Sequence, residues 1–174
     1  GRLVGDSIVA TVMSNLGLEV ALSKSGIKLH RCPVGDLHVH EAMLDHRSCL
    51  GGEQSGHIIF SDLLPTGDGL GTAVSVLRIL AESGQMLDEL LADLSILPQV
   101  LINVSVSRKP ELSEVPELLE TIRSVEKSLN GRGRVLVRYS GTESIFRIML
   151  EGPEQDMIER MAGNIADSAR LNLG

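Results

Sequence analysis

Aromatic residues are nearly missing from this 174-residue chain: Phe60, Tyr139 and Phe146 are the three, and tryptophan is absent. Single-strand nucleic-acid binders stack bases on aromatic platforms, so this chain lacks their main contact surface. Positive charge is short as well. Sixteen lysines and arginines stand against 23 aspartates and glutamates, a net charge of -7, whereas neutralising a phosphate backbone needs a basic surplus. No apolar run approaches the ~20 residues of a membrane helix. Asp6, Asn15 and Glu19 interrupt the start of the chain, so these residues are not expected to form a signal peptide. Cysteine is limited to Cys32 and Cys49, with no C-x-x-C spacing; free thiols in a cytoplasmic protein are expected. The chain starts at Gly1 without a methionine, and "GRLVGDSIV" reads as the approach to a strand within something longer.

What is present is aliphatic and periodic. In the first half "IVATVM" (8–13) predicts a buried strand, and "SN" (14–15) caps a helix that Gly26 closes. "IKLHR" (27–31) predicts a second strand, and residues 36–46 a helix after an Asp36 cap. "CLGG" and "HIIF" bracket a loop. From Asp68 a helix carries Leu70, Ala73, Val74, Leu77, Leu80 and Ala81 on one stripe to about Gly84, and a shorter helix spans 87–94. This rhythm predicts an α/β layered domain with a mixed sheet over residues 1–98. Pro98 marks the join.

Beyond the join the pattern changes. A strand at 100–106 is followed by a helical face of Leu112, Val115, Leu118, Leu119, Ile122, Val125 and Leu129, closed by Asn130-Gly131. Strands at 134–139 and 145–151 and a last amphipathic helix after Pro153 complete a small α+β domain, β-α-β-β-α, over residues 99–174.

Two loops carry the chemistry. "RYSGTESIFR" (138–147) sits between the paired strands. A hairpin there makes Arg138 and Arg147 neighbours, with the hydroxyls of Ser140 and Thr142 and the backbone at Gly141 between them. Guanidinium groups match phosphate oxygens in pairs, and backbone donors in a tight turn make an anion site. Arg132 and Arg134 add positive charge. The bland alternative is a polar turn with its arginines paired to Glu143 and Glu151. The second loop, "GGEQSGH" (51–57), sets Glu53, Gln54, Ser55 and His57 on a glycine-framed turn at a sheet end. A carboxylate, an amide and a hydroxyl suit sugar hydroxyls, and His57 can transfer a proton near neutral pH. A glycine-rich connection with Glu53 solvated and His57 packed is the alternative. No metal ligand set is expected: His30, Cys32, His38, His40, His46 and Cys49 match no zinc spacing. One aspartate in "TGDGL" is few for a hard cation, and Asp68 is better read as a helix cap.

"GEQSGH" followed by "RYSGTESIFR" resembles the α-D-phosphohexomutase superfamily, most closely its bacterial phosphoglucosamine mutases. "VATVMSNLG", "VGD" (34–36), "TGDGL" and "LINV" extend the resemblance over the whole chain, as the third and fourth domains of that family. The resemblance implies that Glu53 and Ser55 hold sugar hydroxyls, that Gln54 is the residue often found there in phosphoglucosamine mutases, and that His57 is catalytic beside the sugar. It implies that Arg138, Ser140, Gly141, Thr142 and Arg147 grip the non-transferring phosphate. It also implies interconversion of glucosamine 6-phosphate and glucosamine 1-phosphate, in cytoplasmic amino-sugar metabolism, through a phosphoserine and a bisphosphate with Mg2+. The phosphoserine and Mg2+ loops have no counterpart here, so the partners expected are a phosphosugar and further domains of the same protein. Alone the chain is expected to be inactive. Departures are Leu37, where the family has arginine, and Tyr139 and Ser144, where it has proline. A phosphoglucomutase/phosphomannomutase, or a non-catalytic phosphosugar-binding module, are the alternatives.

Overall fold

A computed structural model describes residues 3–174; of the "GRLVGDSIV" reading, Gly1 and Arg2 lie outside the described residues. The chain divides into two compact units, Gly1–Ile96 and Leu97–Gly174.

The first unit is built on β1 (Ser7–Thr11), β2 (Lys28–Cys32), β3 (Leu50–Gly52) and β4 (Ile58–Phe60). They form one sheet in the order β2-β1-β3-β4. β1 runs parallel to β2 and to β3, and β4 closes antiparallel on β3, so the sheet is mixed as expected. Helices α1 (Leu16–Lys24) and α2 (Asp36–His46) make the two parallel crossovers. Val9, Cys32, Val39, Met43 and Ile59 are buried together where α2 lies on the sheet. Asn15 caps α1 by accepting from Gly17 N–H at 2.9 Å.

Two expectations in this unit need correction. Gly35, not Asp36, is the N-cap of α2; Asp36 is already helical and accepts from the N–H of Leu37 at 2.9 Å. The shorter helix, α4, covers only Leu87–Leu90 before the chain turns. Asp68 does cap α3 (Gly69–Ser83), accepting from Gly71 N–H at 2.8 Å. The apolar stripe of α3, however, faces outward: Leu70 is 81% exposed, Val74 65% and Leu77 63%. Only Ser75 of α3 is buried. Periodicity shows that a helix has an apolar face, not what covers it.

The second unit follows the predicted order: β5 (Gln99–Ser105), α5 (Pro116–Leu129), β6 (Arg134–Tyr139), β7 (Ile145–Glu151) and α6 (Gln155–Leu173). Its sheet is antiparallel with β7 in the middle, flanked by β5 and β6. α5 starts at Pro116 rather than Leu112, which belongs to a short 3-10 turn, Leu112–Glu114. The residue before a proline is pushed out of helical conformation, and Val115 sits at φ -127 and ψ 73. Leu118, Ile122, Val125 and Leu129, three and four residues apart, bury one face of α5. They meet Phe146, Ile148 and Leu150 of β7 and Ile158, Ile165 and Leu173 of α6. Each such side chain contributes about 1.5–3 kcal/mol on full burial. By that measure the second unit is the better-packed of the two.

No helix among the described residues is long and apolar enough to cross a membrane.

Candidate functional site

In the first unit the parallel strands end at the edge where open α/β sheets bind ligands, and three loops come together there. The β3–β4 connection is a tight turn: Glu53 N–H donates to His57 C=O at 2.9 Å and Gly56 N–H to Glu53 C=O at 3.0 Å. Gly56 takes φ 91, which a side chain would resist. The turn leaves Gln54 and Ser55 exposed and Glu53 half-buried. Glu53 is not simply solvated. Its Oε1 accepts from Gly35 N–H at 2.8 Å, at the start of α2, where the helix dipole favours negative charge. Its Oε2 lies 3.3 Å from the Ser55 hydroxyl, which donates to it. One carboxylate oxygen therefore fixes the loop while the other, beside Ser55, faces outward.

His57 completes this edge. Its Nε2 lies 3.9 Å from Asp36 Oδ2 and has no hydrogen-bond partner although that atom is buried. The loop before α3 closes against the ring: a Cβ on Gly67 would stand 2.5 Å from Cε1 and Nε2. A cleft of about 330 Å³, lined by Ser55, Gly56, His57, Gly67 and Asp68 among others, opens beside it.

In the second unit Arg138 and Arg147 are directly opposite in the β6–β7 register, so the expected neighbours are neighbours. The β5–β7 register adds Asn103 opposite Arg147 on the other side, giving a row of Asn103, Arg147 and Arg138 across the sheet. Arg147 Nη2 donates to Glu143 Oε2 at 3.0 Å, while its buried Nε has no hydrogen-bond partner. Gly141 and Thr142 lie exposed at the tip. Ser140 is 4% exposed; its hydroxyl accepts from Glu143 N–H at 3.3 Å, leaving its own O–H to donate.

Arg134 does not add free charge, as its place in the sequence suggests. It donates to Glu151, which is fully buried and also accepts from Gln99 at 2.9 Å. A carboxylate taken out of water needs such partners. Sequence reasoning also missed Lys109, whose Nζ donates to the Ser140 carbonyl at 2.7 Å. The bond spans 31 residues, and no local pattern announces a pairing at that separation. Tyr139 packs its ring against Phe146 with centroids 5.1 Å apart. Its hydroxyl is buried without a partner, and burial raises its pKa.

Comparison with known proteins shows the family. Residues 1–96 match the family model "Phosphoglucomutase/phosphomannomutase, alpha/beta/alpha domain III", and residues 101–168 match the C-terminal domain of the same family. The chain belongs to this phosphohexomutase family. A phosphoglucosamine mutase of Solibacter usitatus is 49% identical over all 174 residues, and one of Syntrophobacter fumaroxidans is 45% identical. This family member spans only 39% of the length of each of those relatives. Among solved structures, an N-acetylphosphoglucosamine mutase of Aspergillus fumigatus superposes with a TM-score of 0.81 at 23% identity. It covers 95% of this chain and 38% of that one. The same fungal enzyme has been solved with GlcNAc-6P and magnesium, with a TM-score of 0.71 at 21% identity, covering 97% of this chain and 39% of that one. Identities this low speak for the fold.

Among the described residues no group of three or more histidines, cysteines, aspartates or glutamates could hold a metal ion. The described residues therefore offer no donor set that fits Mg2+.

Proposed function

We propose that this chain is the sugar-recognition and phosphate-gripping part of a phosphoglucosamine mutase, a cytoplasmic enzyme interconverting glucosamine 6-phosphate and glucosamine 1-phosphate. The observation that carries the reading is the in-register pair Arg138–Arg147 beside the exposed tip Gly141–Thr142. Two guanidinium groups on one strand pair offer the forked donors that a phosphate dianion takes up. Arg147 Nε, a buried donor without an acceptor, is the kind of group that a ligand oxygen satisfies. In the first unit Glu53, Gln54 and Ser55 supply acceptor, amide and hydroxyl for the sugar, and His57 moves a proton.

In the reaction the resemblance implies, a sugar hydroxyl attacks the phosphorus of a phosphoserine. The new O–P bond forms as the bond to the serine oxygen breaks, and the hydroxyl proton passes to a base. His57 is our choice for that base. The phosphoserine and the Mg2+ site belong, on this reading, to domains that the longer relatives carry. The outward apolar stripe of α3 is surface of the kind that meets further chain. Alone, this chain should bind phosphosugar without turning it over.

The family model is named for phosphoglucomutase and phosphomannomutase, which keeps glucose and mannose phosphates as the second reading. The test is kcat/KM of the longer protein on glucosamine 6-phosphate against glucose 6-phosphate and mannose 6-phosphate. Preference for the amino sugar supports the proposal; preference for either neutral sugar replaces it with the second reading.

A further inference from the structure

The reading of His57 as a proton-transfer group leaves open which nitrogen does the work and what holds the ring. Nε2 is buried without a hydrogen-bond partner, edged by the backbone at Gly67, and the carboxylate oxygen Asp36 Oδ2 lies 3.9 Å away. Asp36 Oδ1 accepts from the N–H of Leu37 at 2.9 Å, which leaves Oδ2 as the oxygen turned to His57. The turn Asp36 stands on is tied to the sugar loop by the Gly35–Glu53 bond. A histidine that acts on a substrate through one nitrogen is oriented by what the other nitrogen meets.

We propose that Asp36 is a positioning residue that engages the Nε2–H of His57, and that Nδ1 is the nitrogen presented to substrate. Gly67 serves the same end by steric means, since its missing side chain is what lets the ring reach Asp36. This rests on the proposed mutase reaction for its consequence in catalysis, but not for its geometry, which concerns the unliganded chain. Closing a gap of 3.9 Å to a hydrogen bond takes a shift of about 1 Å, within the reach of a carboxylate that is 62% exposed.

The test has two parts. Nitrogen-15 spectra of the His57 side chain, recorded on this chain without ligand, report which nitrogen carries the proton. The expected result is Nε2–H as the single neutral form in the wild type and a mixture in Asp36→Ala. Asp36→Asn, whose amide oxygen still accepts, should restore the single form. In the longer active protein Asp36→Ala should lower kcat by about ten- to a hundredfold, with KM within about twofold, and Asp36→Asn should recover part of it. The proposal is overturned if the wild-type ring carries its proton on Nδ1, or if Asp36→Ala changes neither the spectrum nor kcat. A wild-type chain that fails to bind glucosamine 6-phosphate would instead defeat the mutase reading and leave the spectra to decide the role of Asp36.

Discussion

Arg138 and Arg147 stand opposite each other across β6 and β7, although eight residues and a turn separate them in the chain. Two like charges directly opposite destabilise a strand pair. Glu143 offsets one of them by accepting from Arg147, and a phosphate would offset both. Replacing either arginine by alanine in the longer protein should raise KM about ten- to 150-fold, since a hydrogen bond to a charged group is worth roughly 1.5–3 kcal/mol. Lysine should rescue only in part, because it lacks the fork. Wild-type kinetics in both alanine variants would mark the hairpin as structural.

Glu53→Gln keeps the shape of the β3–β4 loop but weakens its acceptor toward Gly35 N–H and, on the proposed reading, toward the sugar. The expected outcome is a large fall in kcat/KM with a small change in melting temperature, because the loop is near the surface. A large drop in melting temperature with unchanged kinetics would assign Glu53 a structural role only.

How much of this was legible in the sequence follows from how local each signal is. The caps Asn15 and Asp68 and the α5 face Leu118–Ile122–Val125–Leu129 depend on neighbours within four residues, and they were read correctly. The Arg138–Arg147 pairing was legible because a short hairpin fixes its register. Arg134 was misjudged because its partner, Glu151, is met only through the strand pairing and is buried by the whole unit. Lys109 escaped notice, and Asp36 was read only as a cap and a motif residue, for the same reason: each lies beside a group on another loop. The outward stripe of α3 shows the converse, a strong local pattern that reveals an apolar face but not where it points.

Removing Arg134 should be costly. Arg134→Ala strands the fully buried Glu151 carboxylate, and breaking a buried pair from one side costs about 3–5 kcal/mol. Gln99 remains as a partner, so the lower end of that range is expected, read as a lowered denaturation midpoint of the second unit. A change under about 0.5 kcal/mol would show that Glu151 is satisfied without the arginine.

Tyr139→Phe removes a buried hydroxyl that has no partner while keeping the ring against Phe146. Leaving such a group unsatisfied costs about 1–3 kcal/mol, so the variant should be as stable as the wild type or more so in urea unfolding. A clear loss of stability would mean that the hydroxyl is bonded in solution.

His30 should make the first unit sensitive to acid. Its pKa lies below the ordinary 6.5, chiefly because of burial and then because of His46, whose ring stacks on it at 3.6 Å, and Lys28. The unfolded chain therefore takes up this proton at a higher pH than the folded one. The associated stability is present above about pH 6.5 and is lost as pH falls through the folded value. Melting temperatures measured from pH 7.5 down to 5 should fall less steeply in His30→Gln than in the wild type. Equal slopes would rule out His30 as the source.

The central claim is that this chain holds both a sugar loop and a phosphate grip, and the most direct measurement is an amide NMR titration of the chain with glucosamine 6-phosphate. Without further domains to close over the ligand, the affinity expected is on the order of millimolar, about -4 kcal/mol. Amides of residues 53–57 and of residues 138–147 should each shift on addition of ligand, and Arg147→Ala should abolish the response at 138–147. No shift in either loop at several times that concentration, or shifts confined to other surfaces, would contradict the account.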